Sequence, residues 1–154
     1  MAVRPIPDGY HAVTPYLIVE GAARALDFYK DVFGATEQMR MAGPAGRVAH
    51  AEIRIGDSVV MLADEVPDMG YRGPKGYGGS AVSLMVYVDD VDATFQRALA
   101  AGAIERRAVQ NQFYGDRSGT LEDPFGHIWT VSTHVEDLTP QEISQRAEQA
   151  MKQG

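Results

Sequence analysis

The residues with the most evident chemical capacity are His50, Glu52 and Arg54, at alternate positions of the run His50-Ala51-Glu52-Ile53-Arg54-Ile55. Strand side chains alternate between faces, so these three share one face and Ala51, Ile53 and Ile55 take the other. The apolar set is the natural partner for helices, which leaves the His50 face free for a ligand. An imidazole beside carboxylates can hold a divalent ion or move a proton. With Glu122 read as the later counterpart of Glu52, the candidate metal cluster is His50, Glu52 and Glu122. The competing reading is an internal ion-pair and hydrogen-bond network among Arg54, Glu52 and His50. A second polar segment is Asn111-Gln112-Phe113-Tyr114-Gly115-Asp116-Arg117. There Arg117, with Tyr114 nearby, suits a bidentate clamp on a carboxylate or phosphonate; equally, Asp116 and Arg117 pair with each other or brace the turn. His11 reads as solvated, His127 as part of a turn, and His134 as the end of a strand near Glu136 and Asp137. No Ser-His-Asp order suggests a nucleophile, and the Gly-x4-Gly-Lys-Ser/Thr phosphate loop is missing.

These side chains need a frame, and the pattern along the chain supplies one. After a Pro-rich N-terminal arm, the β-rich run 12–19 contains Pro15, which cannot donate to a ladder and predicts an edge or irregular start. Ala22, Ala25, Leu26, Tyr29, Val32 and Phe33 recur at helical spacing, and Gly34 stops the helix. Gly56-Asp57 joins the His50 strand to Ser58-Val59-Val60-Met61-Leu62 as a hairpin. Residues 65–80 carry no periodicity and read as a long mobile connection, either a lid or a plain linker. A β-rich run at 81–88 follows. Asp89 or Asp90 caps a helix with Val91, Phe95, Ala98 and Leu99 on one face, and Gly102 ends it. Strand-like residues near 118–122, the turn Asp123-Pro124-Phe125-Gly126, and the strand His127-Ile128-Trp129-Thr130-Val131-Ser132 complete the second half. Thr14 maps to Ser83 and Val19 to Val88 at an offset of 69 residues, and Gly34 to Gly102 at 68. This self-similarity reads as two copies of one βαβββ unit. The boundaries are 12–64 for the first unit, 65–80 for the loop and 81–134 for the second unit. Thr139-Pro140-Gln141-Glu142 is a capping box that opens a helix over 139–152, with an apolar stripe of Ile143, Ala147, Ala150 and Met151.

The 154 residues suit one such domain, and the absence of cysteine excludes a disulfide framework, a thiolate zinc site and cysteine catalysis. A net charge of −7 argues against nucleic acid or an anionic membrane as partner. No apolar run is long enough to span a bilayer, and the first residues lack a signal-peptide core, so a cytoplasmic location is expected.

Two βαβββ units in about 150 residues resemble the vicinal oxygen chelate superfamily, which holds glyoxalase I, extradiol dioxygenases and the fosfomycin- and bleomycin-resistance proteins. The likeness to its PhnB-like branch rests on Phe28-Tyr29-Lys30-Asp31-Val32-Phe33-Gly34-Ala35, Tyr87-Val88-Asp89-Asp90-Val91-Asp92-Ala93, Ala100-Ala101-Gly102-Ala103, Tyr114-Gly115-Asp116-Arg117-Ser118-Gly119 and Asp123-Pro124-Phe125-Gly126-His127-Ile128-Trp129. The resemblance implies an α+β fold in which the two units form a curved mixed sheet around a cavity, with the C-terminal helix added, and it implies a homodimer. Enzymatic members bind one divalent metal through His or Glu at four strand positions. Here those positions read as Thr14, Val60, Ser83 and Thr130, which are poor ligands or none. No cofactor is therefore expected, one divalent metal on shifted ligands being the alternative. The same alignment turns Tyr16, Met85 and Tyr87 towards the cavity, where they line a cleft for a flat small molecule or simply fill it, and it turns Trp129 to the core. Three functions follow: a metal-independent binding protein acting by sequestration or sensing; a metal-dependent lyase, isomerase or dioxygenase; or an interaction surface with a filled cavity.

Overall fold

The computed structural model describes residues 2–154, which fall into two compact units. The first comprises residues up to Ala81 together with Pro124–His127. Its elements are β1 (Tyr16–Val19), α1 (Ala22–Phe33), β2 (Thr36–Ala42), β3 (Val48–Ile55), β4 (Ser58–Asp64) and the short α2 (Pro74–Tyr77), with strand order β1-β4-β3-β2. β1 runs parallel to β4; the other neighbours are antiparallel. The β1 strand is shorter than its β-rich run. It starts only after Pro15, whose carbonyl accepts from Met61 N while its ring nitrogen has nothing to donate. Leu17, Val19, Ala51, Ile53 and Leu62 are buried with Ala22, Ala25, Leu26, Tyr29 and Val32 of α1. Each fully buried Leu, Ile or Val contributes about 1.5–3 kcal/mol, so this layer holds the sheet flat against its helix.

The N-terminus of α1 has no capping side chain of its own. Asp64, at the end of β4, supplies one from across the sheet. Its Oδ1 accepts from Gly21 N and Ala22 N, both at 2.9 Å, and its Oδ2 accepts from Val48 N at 2.8 Å. Residues 65–80 form more than a linker. Val66 and Tyr71 pair as a β-bridge around a 3₁₀ turn, Gly73 N donates to Glu65 Oε1 at 2.8 Å, and α2 follows. The turn 124–127 belongs to this unit as well. Phe125 packs on Phe28 and Tyr29, and His127 Nε2 lies 3.0 Å from Ile18 O.

The second unit repeats the plan with β5 (Ser83–Tyr87), α3 (Val91–Ala100), β6 (Ile104–Asn111), β7 (Asp116–Glu122) and β8 (Ile128–His134), in the order β5-β8-β7-β6, followed by α4 (Pro140–Gln153). Asp90 caps α3 by accepting from Ala93 N, and Thr139 caps α4 by accepting from Glu142 N. Phe95, Val91, Leu121 and Val131 form the core, and Trp129 is buried, its Nε1 donating to Asp123 Oδ2 at 2.9 Å. α4 is tied to its own unit by Arg146, which pairs with Glu136 and donates to Phe113 O, yet no residue of α4 is buried. No helix among the described residues is long and apolar enough to cross a membrane.

Strand register corrects two sequence-based assignments. Tyr16 pairs with Met61 and Met85 with Thr130, so the first-unit counterpart of Thr130 is Met61, not Val60. Val60 is buried and points with Leu62 to the helix side. In the same way Met61 pairs with Glu52 and Thr130 with Thr120, so Glu122 does not correspond to Glu52. The cause is turn length: Ile55 pairs with Ser58 across two residues, whereas Glu122 pairs with Ile128 across five.

Candidate functional site

In the first unit the exposed sheet face brings three predicted residues together. Tyr16 Oη lies 2.8 Å from His50 Nδ1, and His50 Nε2 lies 2.8 Å from Glu52 Oε2. Parity explains the grouping. Glu52 and Tyr16 are both cross-strand partners of Met61, and His50 sits two residues before Glu52. Glu52 is buried, and its other oxygen accepts from Tyr10 Oη, a partner in the N-terminal arm that no strand pattern indicates. The hydrogen bonds from Tyr10 and then His50 hold the Glu52 carboxyl below its ordinary pKa despite its burial. Burial, with Tyr71 and Glu52 nearby, pushes the Tyr16 phenol up. Arg54 is not part of this network. Its guanidinium reaches Gly9 O and Asp57 O and so pins the N-terminal arm.

Tyr16 also lines a pocket of this unit, about 890 Å³ in volume. Ile18, Ala63, Val66, Met69 and Tyr71 give it apolar walls, and Arg47, Asp64, Glu65 and Asp68 are its charged lining. Val66, Met69 and Tyr71 come from the segment 65–80, whose apolar residues were the one signal that it builds a wall. A smaller pocket of about 410 Å³ lies between the N-terminal arm and Thr14, Glu52 and Met61.

The second unit assembles a different cluster. Tyr87 Oη donates to Asp116 Oδ2 at 2.9 Å, and His134 spans Asp116 Oδ1 and Asp137 Oδ1 at 2.8 Å each. Burial works to raise the Asp116 pKa, but the bonds from His134 and Tyr87 outweigh it and hold the group low. Asp116 and then Asp137 push His134 above its ordinary value. The sign of the linkage follows. The His134 contribution to stability is fully present below the unfolded-chain value near 6.5 and is lost as pH rises through the higher folded value. We expect Asp116→Asn to lower the His134 midpoint in an NMR titration. The same variant should destabilise the protein more at pH 6 than at pH 9; equal losses at both would contradict the assignment.

Met85 and Tyr87 share the exposed face of β5, and Tyr114 packs edge-on to Phe113. Arg117 does not join them. It alternates with Asp116 and Ser118 to the opposite face, where Asp92 takes its guanidinium in two bonds of 2.8 and 2.9 Å and Asn111 takes a third. Of the two readings of Arg117, clamp or brace, the bonds formed here are those of a brace, on the first turn of α3 and not on Asp116.

The donors do not fit a resident metal. The four strand positions are Thr14, Met61, Ser83 and Thr130: three neutral hydroxyls and a thioether, a set unsuited to Fe, Mn, Zn or Ni. His50 and Glu52 are fully engaged by Tyr16, Tyr10 and each other, and Glu122 is bonded by Arg106 in the other unit. Among the described residues no three His, Asp or Glu side chains form a metal-binding group.

A duplicated βαβββ unit defines a class of fold, and the chain matches the Glyoxalase/Bleomycin resistance protein/Dioxygenase superfamily over residues 10–131. It belongs to that family. It is 45% identical over 135 residues to the uncharacterized protein Mb0911c of Mycobacterium bovis, covering 86% of this chain and 89% of that one. Among solved structures it is similar to TioX from Micromonospora sp. ML1, with a TM-score of 0.62 and 28% identity over 84% of this chain and all (100%) of that one. The PhnB protein from Bacillus cereus shares the fold at a TM-score of 0.64 and 20% identity, covering 80% of this chain and 99% of that one.

Proposed function

We propose that this protein binds a small organic molecule with an apolar or aromatic body in the pocket of its first unit, without a metal, and acts by sequestration or sensing. The observation that carries this is the pocket itself, about 890 Å³ in volume. That falls in the range of sites for drug-sized ligands, and apolar walls with a few polar groups are what such sites present. The donor chemistry at the four strand positions supports the metal-free part. A homodimer acting in the cytoplasm completes the proposal, with sedimentation velocity as its check.

The test is titration with Nile red, a neutral planar dye, together with metal analysis by plasma mass spectrometry of protein purified without a histidine tag. Saturable binding at one dye per chain is expected, about tenfold weaker in Tyr71→Ala, equivalent to about 1.4 kcal/mol. Metal should lie well below stoichiometry, and Mn, Fe(II), Co, Ni and Zn should leave the melting temperature unmoved. Near-stoichiometric metal, or a melting shift abolished by His50→Ala, would replace this reading with a metal-dependent enzyme.

A further inference from the structure

The exposed end of the Tyr16–His50–Glu52 chain stands at the wall of the pocket, and its inner end is buried. Hydrogen-bond directions along it are set from its inner end. Glu52 is a carboxylate that accepts at both oxygens, from Tyr10 and from His50. A carboxylate can only accept, so His50 carries its proton on Nε2. With the imidazole in its Nε2–H form, Nδ1 presents a lone pair to which Tyr16 Oη donates across 2.8 Å. This is the arrangement of an oriented base behind a hydroxyl, with a tyrosine in the outer place. Tyr16 is 47% exposed and lines the pocket.

We propose that Tyr16 is a metal-independent general acid–base, served by His50 and positioned by Glu52, acting on a neutral 1,3-dicarbonyl compound held in the pocket. The proposal rests on the pocket being a ligand site and names its substrate class. Two features select that class. Proton transfer is most effective between groups of similar acidity, and the carbon between two carbonyls is close to a phenol in acidity. The walls of Ile18, Ala63, Val66, Met69 and Tyr71 favour an uncharged body, and the carboxylates of Asp64, Glu65 and Asp68 on the same lining disfavour a substrate that is already an anion.

The step balances without any co-reactant. The Tyr16 Oη–H proton passes to His50 Nδ1 as Oη takes the proton from the central carbon. The C–H bonding pair becomes the C=C bond of the enolate, and the carbonyl π pair moves onto oxygen. Glu52 compensates the imidazolium so formed. Return of the proton to oxygen or carbon gives the enol or the ketone, so the net reaction is tautomerisation, with nothing oxidised or reduced. Tyr16 is the catalytic residue, and His50 and Glu52 act through it.

The experiment uses the full chain and 1-phenylbutane-1,3-dione. Ketonisation of its enol is followed by ultraviolet absorbance, and its occupancy of the pocket by displacement of Nile red. We expect an acceleration of about 100-fold or more over buffer, lost in Tyr16→Phe, a change that removes one hydroxyl. Glu52→Gln should lower kcat with little change in KM and move the pH profile, which a purely structural role would not do. The ¹⁵N spectrum of His50 should show the Nε2–H tautomer. An Nδ1–H tautomer, or equal rates in Tyr16→Phe and the parent, overturns the relay. Displacement without acceleration overturns the relay and leaves ligand binding intact. Dye binding that the diketone does not displace overturns the substrate class, and absence of dye binding removes the pocket reading and the relay with it.

Discussion

Replacing Asp64 by alanine is expected to lower the unfolding free energy by about 4 kcal/mol, read from urea denaturation with an unchanged m-value. The carboxylate accepts three backbone bonds, from Gly21 N, Ala22 N and Val48 N, and it is only 9% exposed. Alanine leaves all three donors without their partner, and each such buried group costs about 1–3 kcal/mol. It also removes a negative charge from the N-terminus of α1, a further 0.3–1 kcal/mol or so. Solvent reaching the vacated space offsets part of the sum. For a domain whose whole stability is about 5–15 kcal/mol, this is a large fraction. Asp64→Asn keeps one acceptor oxygen for Gly21 and Ala22 but turns an amide towards Val48 N, so it should recover only about half of the loss. A change below 1 kcal/mol in the alanine variant would mean that water satisfies these donors as well as the carboxylate does.

The reach of Asp64 illustrates what the sequence conceals. Elements with a buried stripe were legible from it: the period of Ala22, Ala25, Leu26, Tyr29 and Val32 marks α1, and the alternation from His50 to Ile55 places His50 and Glu52 on one face. Burial of Trp129 follows from parity once the family resemblance places Thr130 on the cavity face. The edge strands β2 and β6 were not legible as segments, because nearly every residue in both is exposed and no alternation marks them. The counterparts of Thr130 and Glu52 were displaced because the two hairpins differ in turn length, and a one-residue slip exchanges the faces of a strand. Tyr10 and Asp64 act across the chain, on Glu52 and on the start of α1, and no local pattern encodes a partner 42 residues away. The second-unit residues Met85 and Tyr87 on β5 and Tyr114 in the turn between β6 and β7 remain candidates, whereas Arg117 pairs with Asp92.

Gly115→Ala is expected to cost about 3–4 kcal/mol and to unmake the His134 cluster with it. Gly115 has φ of +96°, and a Cβ added there would lie 2.4 Å from the backbone oxygen of Glu136. Its carbonyl accepts from both Val135 N and Glu136 N, so the chain after β8 is folded directly onto this residue. The methyl group cannot be accommodated by a rotamer change, because the obstacle is main chain. The segment 135–137 must therefore move, and it carries Asp137, one of the two carboxylates on His134, and Glu136, the anchor of Arg146 on α4. Gly56→Ala is the control. It also has positive φ, at +58°, but nothing lies within 4 Å of the added carbon. Backbone strain alone should cost it about 1 kcal/mol. If the loss in Gly115→Ala exceeds that in Gly56→Ala by about 2 kcal/mol, and the His134 midpoint falls towards its ordinary value only in Gly115→Ala, the contact with Glu136 sets the cost. Equal losses in the two variants, with the His134 midpoint unmoved, would assign the whole effect to backbone conformation and show that the segment after β8 gives way freely.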